Sequence, residues 1–451
     1  MKQLTLKQIA QWCGGTVEEQ YENIVVEEIT TDSRDVKPGF LFIPLPGTKV
    51  DGHNYIRRAI QSGAVACLSQ KEGNYAGAPI IQVKDTLVAF GEIAKGYRME
   101  RSAFVLAITG SVGKTTTKEM VATMMRQKYK TIWTEGNHNN NLGLPMTVVR
   151  VDEDTEVAVL ELGMNHFGEM SYLSKIAKPN LAIINNIGTM HIENLGSREG
   201  ILRAKMEILD GMDEEGVLIL NGDEPLLWNM KEELLAKLKK VYYYGIENKE
   251  CDILATNIDR GLDGVRFSFV AEGKEAVPVF IPANGQHTIY NALGAITAGM
   301  MAKLSREQIQ IALSNFENTG SRQKIYEAGG YTIIEDCYNA GPESMAAALA
   351  VLGEMKNGGR RIAVLGDMLE LGSCSTAEHY RVGRLALENA DLLFAYGVNA
   401  NRVVTGAVTG GMNPKMAMFF DDQDGLIHQL RAKARKGDVL LFKGSRGMKM
   451  E

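Results

Sequence analysis

Between Ala103 and Met125 the chain reads AFVLAITGSVGKTTTKEMVATMM, an apolar strand, a glycine-bounded loop and an amphipathic helix. The loop, Thr109, Gly110, Ser111, Val112, Gly113, Lys114, Thr115 and Thr116, has the residue types that hold a polyphosphate. A strand feeding a helix N-terminus aims free N–H groups and the positive helix end at one point. Gly110 and Gly113 let the backbone approach, Lys114 brings an ammonium to the terminal phosphates, and Thr115 offers a hydroxyl to magnesium. The pattern G-x-x-x-x-G-K-[ST] places its first glycine at position 108, where Ile108 stands, so the loop is a shortened variant. Triphosphate chemistry is expected.

Further candidates follow in order. Asn137 to Asn141 form a polar cluster before Gly143 and Pro145 that serves either as solvated turn or as a contact surface. The run EVAVLELGMNHFGEM ends an apolar strand at Glu161, facing the crevice where open α/β sheets bind ligands, so Glu161 can share the metal that Thr115 begins to hold. His191 follows the strand LAIINNIGTMH and reads as a packed histidine or a ligand. Lys205 stands among Ile201, Leu202, Met206, Ile208 and Leu209, where it snorkels or faces phosphates. Ser197 caps that helix without a full capping box, because Gly200 stands at the third helical position.

These residues are carried by three units. Residues 1–100 form a small α/β module whose TLKQIAQWCGG is a helix with Thr5 as cap and a glycine stop. There Asp32, Ser33, Arg34, Gly47 and Asp51-Gly52-His53 lie at strand ends, open to turn chemistry or ligand contact. Residues 101–318 carry the phosphate loop, a β-rich passage from Tyr242 to Ile281 and a buried helix with His287 and Asn291. Residues 319–451 alternate four strands with helices as a small doubly wound domain, with Asp336 and Lys443 as its exposed candidates for chemistry.

Composition narrows the class. A chain of 451 residues with 45% hydrophobic and 23% charged residues is of ordinary globular type, large enough for roughly two to four domains. A net charge of -6 gives no long-range pull on a polyanion, so nucleic acid is not an expected partner. Cys13, Cys67, Cys251, Cys337 and Cys374 are scattered singly, as in a reducing cytoplasm. No signal-peptide pattern and no apolar run of about 18 residues occurs, so neither secretion nor membrane insertion is expected.

The motifs ITGSVGKTTTKE, GNHNNNLGLP, ELGMNHFGEM, GTMHIENLGSREGILRAKMEI, YNALGA, DCYNAGPESM, LGDMLELG and KGSRGMKME resemble those of the Mur ligases, in the same order and along essentially the whole chain. TDSR and Y-N-A-x-P-E-S-M are similar to the branch that adds a dipeptide. The resemblance implies a three-domain architecture, a central P-loop domain between a UDP-sugar-binding domain and a C-terminal Rossmann-like ligase domain. It implies ATP, two magnesium ions and catalytic roles for Lys114, His191 and Lys205, the last carried as a carbamate. Thr115, Glu161, His191 and Lys205 resemble the metal set, and Asn291, Arg322 and Asp336 the nucleotide contacts. Ser33, Arg34, Asn139, Asn140, Tyr338 and Asn339 are similar to substrate positions, while Asp367, Glu370, His379 and Tyr338 to Glu343 are where the dipeptide is expected. Gly341, Thr288 and Ser321 stand where the family pattern has asparagine, asparagine and glycine.

The reaction so implied joins D-alanyl-D-alanine to UDP-N-acetylmuramoyl-tripeptide through an acyl phosphate, in a cytoplasmic monomer. Domain closure is expected to bring Arg322 and Asp336 over Lys114. The alternatives are folylpolyglutamate synthase or another Mur-type ligase, a P-loop ATPase or switch, and a non-catalytic module that keeps the loop. An ATPase would turn over without an amine acceptor.

Overall fold

The computed structural model describes residues 3–73, 75, 78–261, 263–271, 273–318, 320–355 and 358–451. Position 319, where the third unit is expected to begin, and position 1, where the first begins, lie outside them. In the first unit, Thr5 closes a capping box with Gln8 on α1 (Leu6–Cys13), and Gly14 ends the helix in the left-handed conformation. The strands β1 (Leu4–Thr5) and β2 (Val25–Val26) pair antiparallel. Four parallel strands follow, β3 (Glu28–Thr30), β4 (Phe40–Phe42), β5 (Ala66–Ser69) and β6 (Ile80–Gln82), with α2 (Ile56–Gln61) between β4 and β5. The Asp85 carboxylate caps α3 (Thr86–Met99) by accepting from the Leu87 and Val88 amides.

The central sheet has nine strands in the order β15-β14-β13-β12-β11-β10-β7-β9-β8. It is built from β7 (Phe104–Thr109), β8 (Thr131–Trp133), β9 (Val157–Glu161), β10 (Leu181–Ile184), β11 (Val217–Asn221), β12 (Lys240–Gly245), β13 (Ile253–Gly261), β14 (Gly264–Ala271) and β15 (Val277–Ile281). The first seven run parallel, and β13, β14 and β15 pair antiparallel, so the β-rich passage extends this sheet. Helices α4 (Lys114–Met125), α5 (Gly143–Val148), α6 (Glu169–Ala177), α7 (Ile192–Leu195), α8 (Arg198–Met206), α9 (Pro225–Trp228), α10 (Lys231–Lys237), α11 (Gln286–Met301) and α12 (Arg306–Ser314) cover it. Val105 to Ile108 are fully buried, as a central parallel strand requires when both faces are covered. The chain leaves β7 to build β8 and β9 on one side and returns to β10 on the other. Beyond the carboxyl end of β7 there is therefore a crevice at the point where strand order reverses.

The third unit holds six strands rather than the four expected. The order is β16-β17-β21-β18-β19-β20, from β16 (Lys324–Ala328), β17 (Tyr331–Asp336), β18 (Arg361–Gly366), β19 (Leu392–Tyr396), β20 (Ala417–Phe420) and β21 (Val439–Lys443). The two additional strands are the edges: β16 is largely exposed and mixes polar with apolar residues, and β20 is a short apolar stretch, Ala417–Phe420, that the sequence reading passed over. The helices are α13 (Pro342–Glu354), α14 (Ser375–Asn389), α15 (Ala400–Gly410) and α16 (Gln423–Lys433). Lys443, expected to be exposed, is buried, and its Nζ donates to Asp336 Oδ2 at 2.6 Å.

The three units are not joined alike. One hydrophobic cluster runs from Leu6, Ile9, Phe90 and Tyr97 of the first unit into Leu144, Leu160, Leu173 and Ile184 of the second. Tyr97 Oη donates to Val151 O and Arg98 Nε to Ala177 O across the same seam. The third unit's two apolar clusters stay within it, and polar pairs such as Arg260 with Glu354 and Thr189 with Glu343 cross to the second. Phe90→Ala is therefore expected to destabilise the first two units together by about 3–5 kcal/mol. Urea unfolding followed by probes in each unit checks this, and the two midpoints should fall in step.

Candidate functional site

The switch-point crevice opens into a cavity of about 900 Å³ whose walls come from the second and third units, with Leu87 and Val88 of α3 at one end. Ser111 to Thr116 form its floor. Gly113 has φ +82, and a Cβ there would collide with Asn291 Oδ1, so only glycine fits. Two residues that sequence reasoning passed over fix the loop. Asn186 accepts from Val112 N through Oδ1 at 2.9 Å and donates to Val112 O at 3.1 Å, while Asn185 Nδ2 donates to Thr117 Oγ1 at 2.9 Å. Their signal in the sequence is the Asn-Asn pair directly after the apolar strand β10.

Thr115 Oγ1 donates to Glu161 Oε2 at 2.8 Å, and Asn139 Nδ2 donates to Glu161 Oε1 at 2.7 Å. Both carboxylate oxygens are thus oriented, in a side chain 1% exposed. Behind it, Thr134 Oγ1 accepts from Glu161 N, and the buried Lys118 donates to Thr134 O. Asn140 instead caps α5, its Oδ1 accepting from Leu142 N and Gly143 N.

Lys114 Nζ donates to Gly110 O at 2.8 Å, folded back over its own loop. Burial lowers its pKa, Glu161 opposes that, and Arg322 adds to it. Lys205 does not snorkel, because the helix turns it inward to 3% exposure. Burial and then the Lys114 charge hold its amine well below the usual lysine range. His191 lines the cavity with φ +64, and burial and Lys114 lower its pKa while Glu370 opposes them.

The third unit supplies the far wall. The Arg322 guanidinium lies 3.8 Å from the centre of the Tyr338 ring. Asp336 accepts from Gln323 N and pairs with Lys443, and Gln323 Oε1 sits 3.0 Å from His287 Nε2. Asn291 Nδ2 is buried with no hydrogen-bond partner, and its residue is part of the cavity wall. Arg322, Asp336, Tyr338 and Asn339 therefore share one cavity with Lys114.

Other candidates stand apart. Thr109 and Gly110 lie under the loop, outside the lining. Arg34 is exposed and paired with Asp32, and Ser33 beside it is also away from the cavity. Asp367 and His379 are buried in the third unit's own hydrogen bonds.

No cluster of three His, Cys, Asp or Glu side chains able to hold an ion occurs among the described residues. Magnesium is still compatible with the donor set. It keeps waters and takes one or two carboxylates plus substrate phosphates, and Glu161 beside the Thr115 hydroxyl offers that.

Family models match three stretches, the Mur ligase family catalytic domain over residues 25–98, the Mur ligase middle domain over 108–299, and the Mur ligase glutamate ligase domain over 321–446. A UDP-N-acetylmuramoyl-tripeptide–D-alanyl-D-alanine ligase of Bacillus subtilis is 39% identical, with 99% of this chain and 96% of that one covered. Its Escherichia coli counterpart is 35% identical over 100% and 97%. The crystal structure of MurF from Acinetobacter baumannii superposes with a TM-score of 0.91 at 31% identity, covering 100% and 97%.

Two outcomes are expected from the site. Asn186→Ala, which frees Val112 N and O, should raise the KM for ATP about tenfold in steady-state assays, the scale of one lost buried pair. Lys205→Met should raise the melting temperature at neutral pH in CO2-free buffer. The folded chain binds fewer protons at Lys205 than the unfolded chain, so stability of the parent rises with pH up to the unfolded value of about 10.5. The advantage of the methionine variant should therefore shrink as pH rises through that window.

Proposed function

The chain belongs to the Mur ligase family, and from that we infer that it is an ATP-dependent ligase joining D-alanyl-D-alanine to UDP-N-acetylmuramoyl-tripeptide, a step in making the peptidoglycan precursor. One observation carries this reading: a glycine-bounded Lys-Thr loop and an oriented Glu161 meet the third unit's Arg322 and Asp336 around one cavity. An end-to-end match that includes the first unit favours it over folylpolyglutamate synthase or a bare ATPase.

In this reading the terminal carboxylate of the tripeptide attacks the γ-phosphorus of ATP, the bond to the β-phosphate oxygen breaks, and ADP leaves an acyl phosphate. The dipeptide amine then attacks the acyl carbon, phosphate departs, and the amine loses a proton to solvent. The barrier is charge crowding between a carboxylate and a triphosphate. Lys114 neutralises the terminal phosphates, and the backbone N–H groups of Gly113 to Thr115 cradle them. Arg322, Asp336 and Asn291 hold the nucleotide, and Tyr338 and Asn339 border the acceptor. Ser33 and Arg34, with Asn139 and Asn140, border the UDP-linked substrate. Thr115 and Glu161 would hold one magnesium ion and His191 and Lys205 a second, the ions supplying positive charge to the phosphate oxygens. Lys205 suits this as a carbamate: burial disfavours its charged form, and the unprotonated amine adds CO2 and releases one proton to leave an anion. The enzyme works as a cytoplasmic monomer, in keeping with its ATP and UDP-linked substrates, and no described helix is long and apolar enough to cross a membrane.

Phosphate release from ATP should require both the UDP-linked tripeptide and D-alanyl-D-alanine. Lys205→Ala should lower it by about a hundredfold or more. Release without the dipeptide would point to an ATPase.

A further inference from the structure

The segment LGDMLELG is more firmly built than the reaction above uses. Asp367 Oδ1 accepts from Asn399 N at 3.1 Å, and Ser445 N donates to Asp367 O at 3.0 Å. Met368 N donates to His379 Nε2 at 3.0 Å, and His379 Nδ1 lies 2.7 Å from Ser375 O, which fixes that ring as the Nδ1–H tautomer. Leu369 N donates to Ser445 Oγ at 2.9 Å. Three successive residues are thus pinned, and the fourth is Glu370.

Glu370 has φ +62, a conformation that side chains other than glycine and asparagine seldom take. It projects from the third unit to the second, where its Oε2 lies 2.9 Å from His191 Nδ1. His191 has φ +64, so strained backbone stands on both sides of one contact. Gly372 (φ +50) comes so close to Glu193 of α7 that a Cβ would lie 3.1 Å from the Glu193 Cβ, so the two segments seat as a pair. The Glu370 side chain is 63% exposed and the His191 side chain 17%. The carboxylate therefore reaches the buried ring from the solvent side of the seam.

We propose that Glu370 is the positioning residue for His191, and that docking of the third unit is what readies His191 for its ion. The contact is a charge contact outside hydrogen-bond alignment, and a carboxylate that close to Nδ1 favours positive polarity on that side of the ring, which leaves Nε2 to face a cation. Because Glu370 belongs to the third unit, an undocked chain keeps His191 without this partner. The second ion then gains affinity only after closure, which ties metal recruitment to the arrival of Arg322 and Asp336. This rests on the proposed role of His191 in holding the second ion, and it gives Asp367, His379 and Ser445 a purpose as supports of the Glu370 turn.

The test is a Mn2+ titration of the full chain with the imido analogue of ATP, followed by electron paramagnetic resonance, alongside ligase kinetics. Glu370→Ala should weaken the weaker Mn2+ site about tenfold, with unchanged thermal unfolding and an unchanged KM for D-alanyl-D-alanine. Glu370→Asp, which keeps the charge, should recover part of the loss. His191→Ala should abolish the same site. If His191→Ala weakens Mn2+ binding and Glu370→Ala does not, the proposal falls and the metal role of His191 stands. If Glu370→Ala raises only the dipeptide KM, Glu370 binds the acceptor amine and the proposal is overturned. If His191→Ala leaves the titration unchanged, the metal role fails and the proposal fails with it.

Discussion

Two lysine amines that press on one another's charge, Lys114 on the cavity floor and Lys205 buried behind it in α8, set the constraint that shapes the site. Lys205 feels both its own burial and the charge of Lys114. Lys114 in turn is held by the carbonyl oxygens of its own loop and by the field of Glu161. The outcome is a division of labour between residues of one type. Glu161 offsets part of the pressure on Lys114, whereas nothing of opposite charge among the described residues does so for Lys205, so the two amines are pushed unequally.

Rigid placement around that pair comes from short polar links. Asn185 and Asn186 tie the phosphate loop to the end of β10, and Thr134 and Asn139 tie Glu161 to the segments after β8. Every link joins the carboxyl end of one parallel strand to that of a neighbour. The sheet thus delivers the polar tips to one level, and the hydrogen bonds set their orientation.

Much of this was legible in the sequence. The inner strands announced themselves through apolar runs, and the phosphate loop through Gly-Lys-Thr between a strand and a helix. Glu161 was legible because it ends such a run. The edge strands β16 and β20 were not: β16 is exposed and mixed in polarity, and the apolar run of β20 is only four residues long. Lys205 was open to two readings because periodicity gives a helix face but not what packs on it. The roles of Asn185 and Asn186 depend on partners 68 and 74 residues away, and that of Glu370 on His191 in another unit, pairings that only the folded chain displays. Asp367 and His379 had the right chemistry for a ligand site, yet their hydrogen bonds are spent on the turn that precedes Glu370.

The unequal joints between the units have a mechanical consequence. Parting the first unit from the second means exposing a shared hydrocarbon core around Phe90 and Tyr97, whereas parting the third from the second breaks a few polar pairs that water readily replaces. The molecule therefore behaves as a two-piece vice with one stiff jaw and one free jaw. A load across the molecule opens the seam at Thr189 and Glu343 before the one at Phe90 and Tyr97.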